Sequence, residues 1–188
     1  MKIFILDNYD SFTYNLVHII EQFTDEVIVK RNDQIDLSEL DNFDKIVFSP
    51  GPGLPSDVKI MNEIMDVYKH SKPILGVCLG HQAIAEYFGA TLLNMPEVNH
   101  GREFKTQITV KDYIYDNIPN IILTGRYHSW IVNKENFPTE LEITSIDEQT
   151  GNIMSLQHII YDIRGVQYHP ESIMTKYGFQ ILKNWVNK

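Results

Sequence analysis

The sequence predicts an α/β protein: a doubly wound, mostly parallel central sheet with flanking helices, plus a smaller antiparallel portion in the second half. Three observations carry this expectation. Through the first ninety residues, short apolar runs alternate with stretches of helical period, the pattern of strand–helix–strand units on a parallel sheet. After Ala90 the texture changes to short runs, many alternating apolar and polar, with turn chemistry between them. The chain has 188 residues, suited to one domain that buries its own core, and shows no repeat, low-complexity stretch or linker.

Ile3-Phe4-Ile5-Leu6 is a continuous apolar run, as expected of a strand covered on both faces. Asp7-Asn8-Tyr9-Asp10-Ser11 is loop chemistry with candidate helix caps. A helix is expected from there to about Phe23, because Phe12, Leu16, Ile19, Ile20 and Phe23 recur at helical spacing. Val27-Ile28-Val29 and Lys45-Ile46-Val47-Phe48 are the second and third strands. Ser49-Pro50-Gly51-Pro52-Gly53-Leu54-Pro55 holds three prolines and two glycines, which excludes helix or central strand. It is either a plain turn or a stiff loop whose backbone N–H groups serve an anion or a carbonyl oxygen. The next helix is expected from about Asp57 to Tyr68, with Ile60, Met61, Ile64, Val67 and Tyr68 on its buried side. Pro73-Ile74-Leu75 leads as a strand into Gly76-Val77-Cys78-Leu79-Gly80-His81-Gln82, and a helix runs on through Phe88 to a stop at Gly89. Phe104–Val110, Ile121–Thr124, Trp130–Val132, Leu141–Ser145 and Ile153–Ile160 read as short strands, with a hairpin-type turn over Asp147–Asn152. Arg164–Tyr168 is a strand ending in His169-Pro170-Glu171-Ser172, and a last helix spans about Lys176 to Val186.

Composition narrows the class of function. Hydrophobic residues make up 43% and charged residues 22%, ordinary for a soluble globular protein. A formal charge of −9 argues against general nucleic-acid binding, which wants a basic face. The N-terminal apolar run stops at Asp7, short of the roughly 7–15 residues of a signal-peptide core. No stretch approaches the roughly 18 apolar residues needed to span a membrane. The expectation is a cytoplasmic protein with neither nucleic acid nor membrane as partner. The one cysteine cannot make an internal disulfide and suits a reducing compartment.

That cysteine, Cys78, reads either as core filling or as a nucleophile. A strand turning at once into a helix would hold it at a helix N-terminus, where the thiolate is favoured. At an unperturbed pKa of about 8.5 only about 3% of a thiol is ionised at pH 7, so a base is needed. Of seven histidines, His18 and His70 fall in amphipathic helices, and His158 falls in an alternating strand. His169 stands apart: it follows an apolar strand, adjoins a proline and lies two residues from Glu171. That carboxylate could set its tautomer and leave the other ring nitrogen for a thiol, although a simple strand-ending turn reads equally well. No metal set is evident, with one Cys and no His pair at helical ligand spacing, and there is no P-loop or Rossmann glycine fingerprint. In a doubly wound sheet, ligands bind beyond the carboxyl ends of the strands, where the Pro–Gly loop and Cys78 both fall.

Gly76–Gln82 and Gly165–Ser172 closely resemble the two signatures of the class I (triad) glutamine amidotransferases. Asp7–Leu16, Ser49–Pro55, His100-Gly101 and Arg126-Tyr127-His128-Ser129 narrow the resemblance to the glutaminase subunits, component II, of anthranilate synthase and 4-amino-4-deoxychorismate synthase. It runs from residue 1 to the C-terminal helix, as one amidotransferase domain over residues 1–188, and implies a flavodoxin-like sheet. It further implies that Cys78 attacks the side-chain amide of L-glutamine, that His169 moves the proton, and that Glu171 orients His169. Backbone N–H groups of Gly53 and Leu79 would form the oxyanion hole, and Gly51, Pro52, Gln82, Ser129 and Trp130 would hold glutamine. The implied partner is a chorismate-binding synthase subunit, component I, which receives the ammonia; no cofactor is implied in this chain, and Mg²⁺ is implied in the partner. Anthranilate formation for tryptophan is the first expectation, with the folate pathway, or both, as the alternative. Three positions depart from the family's usual residues: Arg102 for lysine, Trp130 for leucine and Tyr168 for phenylalanine. Two other classes compete. A free-standing cysteine hydrolase of γ-glutamyl or peptide bonds leaves Asp7–Leu16 and Arg126–Ser129 unexplained. An inert binding or regulatory module would be favoured by loss of Cys78, His169 or Glu171, and all three are present.

Overall fold

Alternation along β1 (Lys2–Asp7) sorts its side chains into two cores: Ile3 and Ile5 enter one, Phe4 and Leu6 the other. A strand buried on both faces needs a layer on each, and the remaining elements supply it. The computed structural model describes residues 1–95 and 101–188. After β1 come α1 (Thr13–Ile20), β2 (Glu26–Arg31), β3 (Lys45–Phe48), α2 (Ile60–Tyr68), β4 (Ile74–Val77) and α3 (Leu79–Tyr87). The second half supplies β5 (Leu92–Ile108), β6 (Ile121–Val132), β7 (Leu141–Asp147), β8 (Ile153–His158), β9 (Ile163–Val166) and α4 (Gly178–Asn187). Met61, Ile64 and Met65 of α2 and Ile84 of α3 cover one face, while Leu16 and Ile20 of α1 and Ile181 and Trp185 of α4 cover the other.

The strands form one sheet in the order β2-β1-β3-β4-β9-β8-β7-β5-β6. Neighbours from β2 through β9 run parallel, and every pairing beyond β9 is antiparallel. The doubly wound α/β class with an antiparallel portion is therefore observed. The order also puts β4 beside β9, so the segments that follow these two strands leave the sheet at the same end.

Several boundaries differ from the sequence expectation. Ile121–Thr124 and Trp130–Val132 are not separate strands: β6 runs unbroken through Arg126–Ser129, because β5 gives it ladder partners along its length. Helix α1 stops at Ile20 rather than Phe23, and α2 begins at Ile60, after a short 3-10 turn over Pro55–Asp57. Val67 is 53% exposed, because the face of α2 turned to the sheet is filled by Met61, Ile64, Met65 and Tyr68. Strand β8 ends at His158, and β9 ends at Val166, so Gln167 and Tyr168 lie past the ladder yet remain buried. Among the described residues no helix is long and apolar enough to cross a membrane.

Candidate active site

Strand β4 passes into α3 at Cys78, whose backbone sits at φ 52° and ψ −99°. Positive φ is uncommon for a side-chain-bearing residue and costs energy that the surroundings must sustain. Two close approaches impose it. A Cβ on Gly76 would come within 2.4 Å of the Gly80 carbonyl, and one on Gly80 within 2.6 Å of Cβ and the carbonyl oxygen of Phe48. Only glycine at both positions lets the first turn of α3 lie directly on β4 and β3. The Cys78 N–H donates to the Val166 carbonyl at 2.8 Å, which ties the elbow to the end of β9. Leu79 opens the helix, so its N–H has no intrahelical acceptor.

The Pro–Gly loop is held from the β1 side. Asn8 donates its backbone N–H to the Ser49 hydroxyl and its side-chain amide to the Ser49 carbonyl, both at 2.9 Å. Asp57 accepts from the Leu54 N–H at 3.0 Å and closes the far end of the loop. Gly53 sits at φ 80°, a conformation open to glycine. The polar Asp7–Ser11 segment thus acts locally. Asp7 accepts from the Thr13 hydroxyl at 2.9 Å and the Tyr9 N–H at 3.0 Å, and this fixes the turn that presents Asn8.

On the other side of the elbow, His169 Nδ1 and Glu171 Oε1 are 2.6 Å apart, both side chains buried. The turn that carries them is clipped to β6, with the His169 N–H donating to the Gly125 carbonyl at 3.0 Å and the Gly125 N–H to the Thr175 hydroxyl at 3.0 Å. The rings of Phe12 and Tyr127 pack edge-on against His169. Burial opposes a charged His169, but the Cys78 sulfur and the Glu171 carboxylate overcome it and raise its proton affinity well above the ordinary histidine value. Among the described residues its Nε2 has no partner of hydrogen-bond geometry, while the Cys78 sulfur lies near enough to act on the ring. Glu171 therefore fixes Nδ1 as the protonated nitrogen and leaves Nε2 for chemistry.

One cavity of about 300 Å³ is lined by Gly51, Pro52, Gly53, Cys78, Leu79, Gln82, Tyr127, His128, Ser129 and Trp130. It gathers the nucleophile candidate and every residue expected to hold substrate, from three stretches far apart in the chain. Tyr127 and His128, on the continuous β6, line it as well. His128 donates from Nδ1 to the Trp130 carbonyl at 3.0 Å, and burial together with the nearby Arg126 charge holds its pKa down at about 3. His81, wholly buried on α3, is lowered to about 4 by burial. Both stay neutral at pH 7, which leaves His169 as the basic ring of the site. His158 is structural: its Nδ1 accepts from the N–H groups of Ile160 and Tyr161. His18 and His70 are solvent-exposed.

The departures fall in three different settings. Trp130 contributes its carbonyl, which accepts from Gln82 at 2.9 Å as well as from His128, so its side chain is not what the contact requires. Tyr168 is buried and shares a hydrogen bond at 2.9 Å with Tyr115, whose hydroxyl donates to Ser155 at 2.7 Å. The added hydroxyl is thus satisfied within the core. Arg102 is exposed; His100 lies outside the described residues. One contact to the sulfur was missed from sequence: Gln167, wholly buried, places Nε2 at 3.7 Å from Cys78 Sγ. A glutamine amid apolar strand residues was the available signal, since a buried amide must find partners.

A cysteine at a strained strand–helix elbow, with a carboxylate-oriented histidine beside it on a doubly wound sheet, defines a class: α/β proteins built for thiol attack on a carbonyl carbon. Within that class the chain belongs to the family described as glutamine amidotransferase class-I, whose model matches residues 4–188. It is 45% identical over 190 residues to anthranilate synthase component 2 of Cyanophora paradoxa, covering 98% of each chain. It is 39% identical to aminodeoxychorismate synthase component 2 of Klebsiella aerogenes, covering 99% of this chain and 100% of that one. It is also 39% identical to aminodeoxychorismate/anthranilate synthase component 2 of Bacillus subtilis (strain 168), covering 98% and 95%. Among solved structures, a candidate GMP synthase subunit from Thermoplasma acidophilum superposes with a TM-score of 0.89 at 26% identity, covering 100% of this chain and 92% of that one.

Proposed function

We propose that this chain is the glutaminase component of a chorismate-aminating synthase, with anthranilate as the first expected product. The observation that carries the reading is the single cavity in which Cys78, the Pro–Gly loop, Gln82 and the Ser129–Trp130 backbone meet. It suits a small polar substrate held by backbone groups beside a thiol. The Cys78 sulfur, its proton taken up at His169 Nε2, attacks the side-chain carbonyl carbon of L-glutamine. Negative charge develops on the amide oxygen, where the N–H groups of Leu79 and Gly53 act as donors; losing one such donor costs about 10²–10³ in rate in other systems. The intermediate collapses with cleavage of the C–N bond, and His169 delivers its proton to the departing ammonia. Water then attacks the γ-glutamyl thioester, His169 takes the water proton, and the sulfur leaves with the electron pair of the S–C bond. Glutamine and water become glutamate and ammonia. Glu171 keeps His169 in the required tautomer throughout, and none of these steps calls on a cofactor.

The ammonia passes to a component 1 subunit that binds chorismate, the role suggested by the component 2 names of the relatives; the chain is proposed to work in the cytoplasm. Those names include both products and one protein serving both, so 4-amino-4-deoxychorismate is the specific second reading. The test is to purify the chain with its native partner, supply chorismate and glutamine, and identify the product. The Cys78→Ala complex is expected to lose glutamine-dependent product entirely while still aminating chorismate from ammonium salts at raised pH. Glutamine-dependent product from that variant would remove Cys78 as the nucleophile.

A further inference from the structure

Gln167 has no part in the mechanism above, yet its side chain touches the reacting atom. Three contacts decide which end of its amide faces the sulfur. The Trp130 carbonyl oxygen can only accept, so the Gln82 atom 2.9 Å from it is the NH₂ nitrogen. That nitrogen has a second proton, directed at Gln167 Oε1 at 3.1 Å. With its oxygen held there, Gln167 turns its own NH₂ to Cys78 Sγ at 3.7 Å. The orientation begins at a backbone carbonyl in the pocket wall and passes through two buried amides to the nucleophile. A neutral thiol is a poor acceptor, whereas a thiolate is a charged one, so an N–H aimed at sulfur favours the charged form.

We propose that Gln167 is a catalytic residue whose side-chain N–H donates to the Cys78 thiolate, and that Gln82 is the positioning residue that aims it. The proposal rests on the reading of Cys78 as the glutaminase nucleophile. The donor acts twice. It holds the resting sulfur charged beside His169, and it receives the charge again when the S–C bond of the thioester breaks and the electron pair returns to sulfur. The titratable groups around Cys78 are His169 and Glu171 after β9, Tyr127 and His128 on β6 with Arg126 beside them, and His81 on α3. His81 and His128 are held neutral, and Arg126 is paired with Asp147.

The test is the rate of iodoacetamide alkylation of Cys78 from about pH 5 to about pH 10, followed by intact mass, which requires neither glutamine nor the partner. Gln167→Met keeps the volume and removes the donor. Its pH–rate profile is expected to move to higher pH, with alkylation at pH 7 slowed about tenfold, the scale of one hydrogen bond to a charged group. In the complex with its partner, kcat for glutamine falls by a similar factor while KM stays within about twofold. Gln82→Met shifts the alkylation profile in the same direction, and the double variant matches Gln167→Met alone, because Gln82 reaches the sulfur only through Gln167. A Gln167→Met profile superposing on the unaltered one, or additive effects in the double variant, overturns the proposal. Should Gln167→Met not fold, Gln167→Asn, which draws the amide back by one methylene, is expected to shift the profile likewise, and an unchanged profile has the same consequence. If the unaltered complex fails to hydrolyse glutamine while the alkylation shifts appear, the functional reading falls and the donor role stands.

Discussion

Gly80→Ala tests whether the approach of α3 to the sheet sets the reaction geometry. The added Cβ would lie 2.6 Å from both Cβ and the carbonyl oxygen of Phe48, and β3 is held on both sides, by β1 and β4. Ordinary contact begins at 3.4 Å, so α3 must withdraw by about 0.8 Å, carrying Leu79 with it. Two opposing terms act on stability. Overpacking costs about 1–3 kcal/mol, and replacing a helical glycine by alanine returns about 1 kcal/mol. The net loss is at most about 2 kcal/mol, or a Tm drop of up to about 8 °C for a chain of this size. The rate is the sharper readout, because a displacement near 1 Å of a catalytic group costs about 10² in turnover. Glutamine-dependent and ammonium-dependent amination should be compared in the same complex: the first is expected to fall about 10²-fold and the second to hold, since ammonia bypasses the elbow. Glutamine turnover at the unaltered rate in a folded Gly80→Ala complex would refute the reasoning.

Two further outcomes concern stability. His81 and His128 have folded pKa values near 4 and 3 against 6.5 when unfolded, so below pH 6.5 the unfolded chain takes up protons that the folded chain refuses. Their contribution is complete above that pH and declines as pH falls, by up to about 1.4 kcal/mol per pH unit for each ring. Urea unfolding at stepped pH should show the decline, His81→Met should reduce its slope, and parallel curves for the two proteins would count against the assignment. The second outcome concerns Arg126, which is paired with Asp147 at 2.6 Å with both side chains buried. Arg126→Met is expected to cost about 3 kcal/mol, near the low end for a broken buried pair because Thr150 and Gln149 still donate to Asp147. Arg126→Met/Asp147→Asn should recover part of that loss, and a single variant as stable as the parent would show that the pair contributes nothing.

Much of the site could be read along the chain because its parts are local. Cys78 between Gly76 and Gly80 is a tight elbow in any α/β context, and His169 with Glu171 two residues on is a ring with its own orienting carboxylate. The proline-rich loop declared its stiffness through composition. The errors share a cause as well. Arg126–Ser129 looked like an interruption because its polar residues break the apolar pattern, yet Arg126 pairs with Asp147, His128 donates to the Trp130 carbonyl and β5 supplies the ladder, so the strand continues. Val67 is apolar and at helical spacing, but Met65 on the same helix takes the buried place.

What the residues determined unaided was therefore periodicity, turn chemistry and the kind of reaction available to a thiol, an imidazole and a carboxylate. These depend on neighbours within a few positions. Tertiary structure alone decided which groups meet: β4 against β9, the His169 N–H on the Gly125 carbonyl, and the amide chain from Trp130 through Gln82 and Gln167 to the sulfur. Each of these joins residues far apart in sequence, and a hydrogen bond a few ångströms long leaves no periodic trace in either segment. Its partner is chosen by the packing of the sheet.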